Sequence, residues 1–251
     1  MTEEENEDNE RPHPLEGIRV VEYGLFHAGP GAGAILGDLG ADVIKIEPKD
    51  GDPERYWTRL GQLDLALPGG ESAMFQASNR NKKGIGVDIQ NPMGRGVFHG
   101  LIQKADVFLT NIRKSTKAKL KIDYAALSSV NPTLIHANVS GYGPKGPMSD
   151  LGAFDPLGLA RSGMMFVSGT DEPLLMHIGI LDQATSIALS HAIITALFVR
   201  QIPGYPVHFS ACTAETRIPA PGLGEHTKIV LSENGYTESE IEAFMSAGAV
   251  F

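Results

Sequence analysis

The sequence predicts an α/β fold, with a mostly parallel, doubly wound sheet that carries helices on both faces. Short apolar runs rich in β-branched residues recur through the first half of the chain. Helix-length segments with one apolar face separate most of these runs. Residues 18–47 hold one complete unit of strand, turn, helix and strand. Two strands joined by a helix are expected to be parallel with a right-handed crossover, as in a Rossmann-like sheet.

The first unit is built around a glycine-rich segment. Residues 18–23 and 42–47 predict the strands, and Gly40 stands where a helix ends on glycine. Residues 27–33 predict a turn whose glycines would let a phosphate reach N–H groups at a helix N-terminus. Close helix–sheet packing would explain the same glycines, and the spacing is not G-x-G-x-x-G. On these residues alone, the two explanations carry equal weight.

Further elements follow in alternation. The pattern predicts strands at residues 85–89, 106–111 and 134–140, and helices over 91–104, 123–130 and 156–165. A long apolar helix follows residue 182, and two short helices over 225–233 and 239–247 end the chain. Residues 237–240 have the composition of a capping box. We expect this C-terminal helical segment to pack back on the sheet domain.

Five cations lie within nine positions directly after a predicted strand end. They are Arg113, Lys114, Lys117, Lys119 and Lys121. Open α/β sheets bind ligands at this edge, so the cations could hold phosphates. A solvated helix face would look similar and is the more common explanation of a charge run.

Two aspartates stand at predicted helix starts. Asp155 precedes Pro156, and Asp182 stands at the entrance to the long apolar helix. Each is explained by an N-cap role. The functional alternative for Asp182 is a carboxylate in a partly desolvated cleft, kept ionised and nucleophilic by the helix N-terminus.

Composition excludes several classes of protein. Among the 251 residues, Cys212 is the one cysteine, which excludes a disulfide framework and a cysteine-rich metal site, and we predict no metal. The net charge of −9 argues against a nucleic-acid partner. No uninterrupted apolar run reaches membrane-spanning length, so we expect no membrane partner. The single cysteine fits a reducing environment, and we expect a cytoplasmic location. Residues 1–13 are acidic, lack the features of a signal peptide and predict a disordered tail.

An ordered set of segments resembles the class III CoA-transferase family (CaiB/BaiF type). This family includes formyl-CoA and carnitine CoA-transferases and α-methylacyl-CoA racemases. The matching segments are residues 14–23, 28–30, 39–47, 79–84, 105–111, 131–132, 140–143, 179–182 and 219–231. The resemblance covers residues 14–251 apart from one gap.

The gap lies between about residues 200 and 205, where the family's small domain would stand. The resemblance therefore implies a CoA-binding large domain over 14–201, followed by its C-terminal return segment over 202–251. It also implies a homodimer, because subunits of the family interlock.

The resemblance implies a CoA-transferase that moves CoA between an acyl-CoA thioester and a small carboxylic acid. Asp182 matches the nucleophile, which forms an aspartyl anhydride and then an aspartyl-CoA thioester. CoA is a substrate here, and no tightly bound cofactor is expected. The resemblance assigns CoA contacts to His27, Ala28, Lys49, Asn81, Lys82, Val87, Asn111, Ile112, Arg113 and Lys119.

Two alternatives remain open. A truncated paralogue could bind CoA without catalysis. The racemase branch has an acid–base pair whose aspartate follows Gly-His, but residues 153–155 read Ala-Phe-Asp. The missing histidine favours a transferase, with Asp155 lining the acyl site.

Overall fold

The computed structural model describes residues 12–167, 169, 171–175, 179–202, 227–233 and 235–246. The chain divides into two compact units, residues 1–207 and 208–251. The first unit contains a five-stranded, wholly parallel sheet. Its strands are β1 (Arg19–Glu22), β2 (Asp42–Glu47), β5 (Lys82–Gly86), β6 (Val107–Thr110) and β7 (Ile135–Asn138). A short antiparallel pair, β3 (Arg59–Leu60) and β4 (Leu63–Asp64), lies outside this sheet.

The spatial order of the strands is β5-β2-β1-β6-β7. The chain moves outward from β1 in one direction to β5, and then returns to the other side of β1 for β6 and β7. Such a reversal opens a crevice at the carboxyl ends of the two central strands. The predicted doubly wound α/β class is therefore confirmed.

Seven helices are described in the first unit. They are α1 (Ala28–Asp38), α2 (Ala73–Asn79), α3 (Pro92–Ile102), α4 (Lys114–Leu120), α5 (Tyr124–Ser128), α6 (Asp155–Ser162) and α7 (Ile180–Arg200). Two 3₁₀ helices, Pro53–Tyr56 and Met164–Phe166, complete its described elements.

The apolar core forms two layers, one on each face of the sheet. On one face, Val20 and Val43 pack with Leu36 of α1 and Ile193 of α7. On the other face, Val21, Phe108 and their neighbours pack with Phe98 of α3 and Leu127 of α5. Because the central strands are covered on both faces, their residues are apolar in succession rather than alternately.

Two predicted boundaries were wrong in an informative way. The expected glycine turn over 27–33 is already helical, because α1 begins at Ala28. The strand expected over 85–89 is instead β5 over Lys82–Gly86, where Lys82 pairs with Val43 and Gly84 with Lys45. Glycine and lysine are weak strand formers, so pairing with β2 decided this segment against local propensity.

Helix α7 has 21 residues and, by length and composition alone, is apolar enough to cross a membrane. A core helix of a globular protein can meet the same criterion. Here one side of α7 packs on α1 and the sheet, with Ile193, Ala196 and Leu197 buried.

The described part of the second unit consists of α8 (Thr227–Glu233) and α9 (Glu238–Ser246). The predicted capping box is confirmed. Glu240 Oε2 accepts hydrogen bonds from the backbone N–H of Thr237 at 2.8 Å and from its hydroxyl, and Glu240 N–H donates to Thr237 Oγ1. The strand and extended segment expected over 207–222, the junction beyond residue 202 and the acidic residues 1–11 lie outside the described residues. The packing of this segment on the sheet domain stays a prediction.

Candidate active site

The N-termini of α1 and α7 lie at the crevice between the carboxyl ends of β1 and β6. The segment after β1 leads through His27, the N-cap residue of α1. Asn111, directly after β6, fixes this segment, since its side-chain amide accepts from Leu25 N–H at 2.9 Å and donates to Leu25 C=O at 2.6 Å. Both hydrogen-bonding groups of Asn111 therefore support the crevice wall, and a CoA contact stays a prediction for this residue.

The glycines of α1 allow neighbouring groups to approach its backbone. A Cβ on Gly31 would overlap Ser186 Oγ of α7, and one on Gly33 would overlap the Glu22 carboxylate. Ser186 in turn donates to the carbonyl of Ala28 at 3.0 Å. The close-packing explanation of these glycines is thus supported at both positions. The contact between Gly31 and Ser186 brings the N-terminal part of α7 against the first turn of α1.

Asp155 caps α7 rather than its own helix. The N-cap residue of α6 is Phe154, and Asp155 Oδ2 accepts from the N–H groups of Leu181 and Asp182 at 2.7 and 3.1 Å. The expectation that Asp155 caps α6, and that Asp182 caps α7, was therefore wrong. An N-cap pattern in a sequence is local, whereas this carboxylate caps a helix that is distant in the sequence. The second oxygen, Oδ1, is buried without a partner among the described residues.

Asp182 is half-buried in the first turn of α7. Burial raises the pKa of its carboxyl group, and the neighbouring Asp155 carboxylate raises it further. His27 opposes both effects, because its positive charge favours the ionised carboxylate. The structure thus brings together His27, Asp155 and Asp182 from three different parts of the sequence.

His27 contacts two residues that sequence reasoning missed. Its Nε2 lies 2.5 Å from Gln183 Oε1, and its Nδ1 lies 3.4 Å from Glu54 Oε1. Burial alone would lower the pKa of His27, but the Glu54 carboxylate, Gln183 and Asp182 together raise it above its usual value. No local pattern marks Glu54 as functional, since it lies in a turn-rich segment beside Asp52 and Pro53.

A buried charge network lies beneath this crevice. Glu22 accepts from Lys45 at 3.1 Å and from Lys82 at 2.8 Å, and Lys45 also pairs with Asp52 at 3.0 Å. The Lys82 side chain is only 2% exposed and also donates to Pro30 C=O and Asn79 Oδ1. With its three N–H donors so engaged, Lys82 could contact CoA only through its main chain.

The two buried lysines differ in the direction of their pKa shifts. Burial lowers the pKa of Lys82 to about 8; the Glu22 carboxylate only partly opposes this effect, and the positive charge of Lys45 adds to the lowering. Lys45 faces two carboxylates, Glu22 and Asp52, which overcome burial and raise its pKa.

Lys49 lies apart from Asp182, in an open cleft of about 370 Å³ at the carboxyl ends of β2 and β5. Arg55 also lines this cleft, donates to Glu47 at 2.8 and 2.6 Å, and stacks on the Phe75 ring at 4.0 Å.

The remaining predicted CoA contacts are dispersed. Asn81 adopts a left-handed backbone conformation and donates to Asp38 at 2.7 Å. Arg113 and Lys119 are exposed at the start and end of α4, whereas Lys117 between them is buried and donates to Asn138. The basic segment is therefore not one continuous cationic surface. The last three predicted CoA contacts, Ala28, Val87 and Ile112, are half-buried.

Among the residues that the structure describes, no group of three or more His, Cys, Asp or Glu side chains is arranged to hold a metal ion.

Comparison with known proteins identifies relatives of this arrangement. The sequence profile of "CoA-transferase family III" matches residues 15–205. Succinate–glutarate CoA-transferase of Agrobacterium fabrum is 37% identical over 195 residues, which are 75% of this chain and 48% of that protein. Mouse succinyl-CoA:glutarate CoA-transferase is 34% identical over 194 residues, which are 76% of this chain and 43% of that protein.

A solved structure agrees with these sequences. The crystal structure of a CaiB/BaiF family protein from Brucella suis superimposes with a TM-score of 0.69 at 34% identity, covering 76% of this chain and 50% of that one. This chain spans about half the length of the curated relatives it matches. The family profile, the shared identity and the common fold together show that the chain belongs to CoA-transferase family III.

Proposed function

We propose that the protein transfers CoA from an acyl-CoA thioester to a small carboxylic acid, with Asp182 as the nucleophile. The observation that carries this proposal is the place of Asp182. It is half-buried in the first turn of α7, where Asp155 caps the helix, and it lies close enough to His27 for their charges to interact. The helix N-terminus and His27 favour an ionised carboxylate, which is the form that attacks.

The reaction requires no external base. The Asp182 carboxylate attacks the thioester carbonyl, and the C–S bond breaks to give CoA thiolate and a mixed anhydride. The thiolate then attacks the Asp182 carbonyl carbon and releases the donor carboxylate, which leaves an aspartyl-CoA thioester. The acceptor carboxylate repeats these two steps in reverse and regenerates Asp182. Each bond broken is matched by one formed, and no proton needs to be moved.

Some of the residues expected to contact CoA follow the carboxyl ends of strands, whereas Asn81 precedes β5 at the opposite edge of the sheet. Lys49 is exposed in the cleft beyond β2, while Arg113 and Lys119 are exposed beyond β6. An ammonium or guanidinium group in these positions suits the phosphates of CoA. The contacts at His27, Ala28, Asn81, Val87, Asn111 and Ile112 belong to this proposal, as does Asp155 at the acyl site.

The protein acts in the cytoplasm, as a homodimer, without a nucleic-acid or membrane partner and without a tightly bound cofactor. The net charge of −9 supports the exclusion of nucleic acid. The exposed apolar side of α7 supports association between copies.

An acyl-exchange assay with succinyl-CoA and glutarate tests the proposal, because two relatives are named for these acids. We expect exchange by the wild type and background rates for Asp182→Asn, which keeps the size of the side chain but removes the nucleophile. An active Asp182→Asn variant would contradict the proposed role.

The second candidate is a CoA-binding protein without transferase activity. The observation that favours it is that the chain spans about half the length of its curated relatives. Calorimetry separates the two functions, since CoA binding without exchange across a panel of thioesters and acids would support the second.

A further inference from the structure

A row of four side chains runs from the interior to the first turn of α7. Ser78 of α2 donates to Glu54 Oε2 at 2.5 Å, and Glu54 Oε1 faces His27 Nδ1 at 3.4 Å. His27 Nε2 then meets Gln183 Oε1 at 2.5 Å. The transfer steps described above give no role to Ser78, Glu54 or Gln183.

The buried carboxylate of Glu54, towards the interior end of the row, requires a positive charge beside it. The Glu54 side chain is 0% exposed, and a buried carboxylate is costly unless a cation faces it. His27 is its ion-pair partner, whereas Lys45 is already engaged by Glu22 and Asp52. The charges facing His27 are therefore Glu54 from the 3₁₀ helix and Asp182 from α7, with Asp155 of α6 behind Asp182.

A protonated His27 fixes the orientation of its neighbour. An imidazolium carries an N–H on Nε2, so the carboxamide of Gln183 must turn its oxygen towards Nε2, as it does here. Nδ1 faces Glu54 Oε1 as an ion pair, without a hydrogen bond between the two atoms. The NH₂ group of Gln183 then points away from His27. A neutral imidazole with Nε2 as an acceptor would instead draw that NH₂ group to itself.

We propose that Gln183, oriented by the His27–Glu54 pair, donates a hydrogen bond to the carbonyl oxygen of the acyl group held at Asp182. This inference rests on the proposed CoA-transferase function. Negative charge develops on that oxygen when Asp182 or the thiolate attacks, and a fixed N–H donor stabilises it. His27 and Glu54 are positioning residues that act through Gln183.

The decisive variant is Gln183→Glu. A glutamate still accepts from the His27 imidazolium, so the row of side chains is preserved, but it has no N–H to donate. We expect kcat to fall by about 10²-fold, as for the loss of other oxyanion donors, with a much smaller change in KM. Gln103→Glu adds the same charge to an exposed site after α3 and should leave both constants unchanged.

A second variant tests the positioning residues. Glu54→Gln removes the counter-charge of His27, and we expect the NMR titration of His27 to move to lower pH. The alkaline limb of the kcat profile should move in the same direction, because Gln183 turns when His27 loses its proton. A role of Glu54 in folding alone would not shift that limb.

The outcomes separate the two proposals. A wild type without exchange activity overturns the proposed function and, with it, the role of Gln183. An active wild type with an equally active Gln183→Glu variant overturns only this inference. So does a His27 that titrates below its ordinary pKa in the wild-type protein.

Discussion

At the scale of single residues, the site is a balance of charges around Asp182. Burial and the Asp155 carboxylate disfavour its ionised form, while His27 favours it. The balance matters because only the ionised carboxylate attacks a thioester. The acid limb of activity is therefore expected above the ordinary aspartate value, since the pKa of Asp182 is raised.

Asp155→Asn should move this acid limb to lower pH. The variant removes the like charge near Asp182 but keeps an oxygen that can accept from Leu181 and Asp182 N–H. Asp155→Ala removes the charge and the cap together, so it should shift the limb similarly and also cost about 1 kcal/mol of stability. Rate profiles from pH 4 to 8 and urea denaturation measure the two effects. An unchanged acid limb in both variants would show that Asp155 does not act on Asp182.

Lys82→Met should destabilise the fold by about 3–5 kcal/mol at pH 7, because Glu22 would share the remaining Lys45 with Asp52. Glu22→Gln combined with Lys82→Met removes both members of the pair and should recover part of the loss. Urea denaturation of the single and double variants gives this coupling. If the losses of stability in the two single variants simply add up in the double variant, Glu22 and Lys82 do not form the proposed buried pair.

The lowered pKa of Lys82 predicts that the free energy of unfolding depends on pH. This folded pKa of about 8 lies below the model value of 10.5, so the unfolded chain binds more protons between these values. The contribution of Lys82 to the free energy of unfolding therefore rises with pH across that window. The difference between wild type and Lys82→Met, measured from pH 7 to 10.5, should grow accordingly; a flat difference would argue against the lowered pKa.

At the scale of elements, the contact between α1 and α7 sets the geometry of the site. Helix α1 provides His27 at its start, and α7 provides Asp182 and Gln183 in its first turn. Gly31 and Ser186 fill the space where the two helices touch, and Ser186 donates to Ala28 C=O. A small increase in volume there should separate the two helices and the residues that they carry.

Gly31→Ala should cost about 1–3 kcal/mol by overpacking, because its Cβ would overlap Ser186 Oγ. Ser186→Gly makes room for that Cβ, so the double variant should lose less than the sum of the single variants. Gly100→Ala in α3 is the matched control. Nothing lies within 4 Å of a Cβ there, and alanine should stabilise the helix by about 0.5–1 kcal/mol. Equal effects of alanine at positions 31 and 100, measured by thermal denaturation, would contradict this packing argument.

At the scale of the whole molecule, one side of α7 is unusually apolar for a surface. Ile187 is 58% exposed and Phe198 is 65% exposed, although the opposite side of the helix belongs to the core. Apolar surface of this kind is typical of contacts between proteins. It supports the proposed homodimer and makes this side of α7 the candidate interface for a test.

Ile187→Glu combined with Phe198→Glu should weaken self-association without lowering the melting temperature, because neither side chain contributes to the core. Met93→Glu provides a control at another exposed apolar residue, in α3. Sedimentation velocity over a range of concentrations measures the effect. A wild type that is monomeric at every concentration, or a variant that associates as well as the wild type, would exclude this interface.

Some features could be read from the sequence because they depend on local patterns. The alternation of apolar runs and amphipathic segments fixes the order of strands and helices, and short-range capping residues mark Thr237 and Glu240. Strand β2 has the predicted bounds, residues 42–47. Its apolar residues are buried, and the strand pairs with β1 along the sheet. The charged residues Glu22 and Lys45 within such strands could have indicated a buried pair, because a strand covered on both faces must pair its charges, but no prediction above used them.

The tertiary structure alone decided which distant residues meet. Asp155 caps a helix that begins 25 residues later in the sequence. Glu54 faces His27 from a different segment. No periodic pattern in the sequence predicts either contact. The tertiary structure also decided that Lys82 lies inside the protein and Lys49 outside it. The physical reason is that local sequence sets backbone conformation over a few residues. Burial, charge pairing and the close approach of α1 and α7 instead depend on the folded arrangement of the whole sheet and its helices.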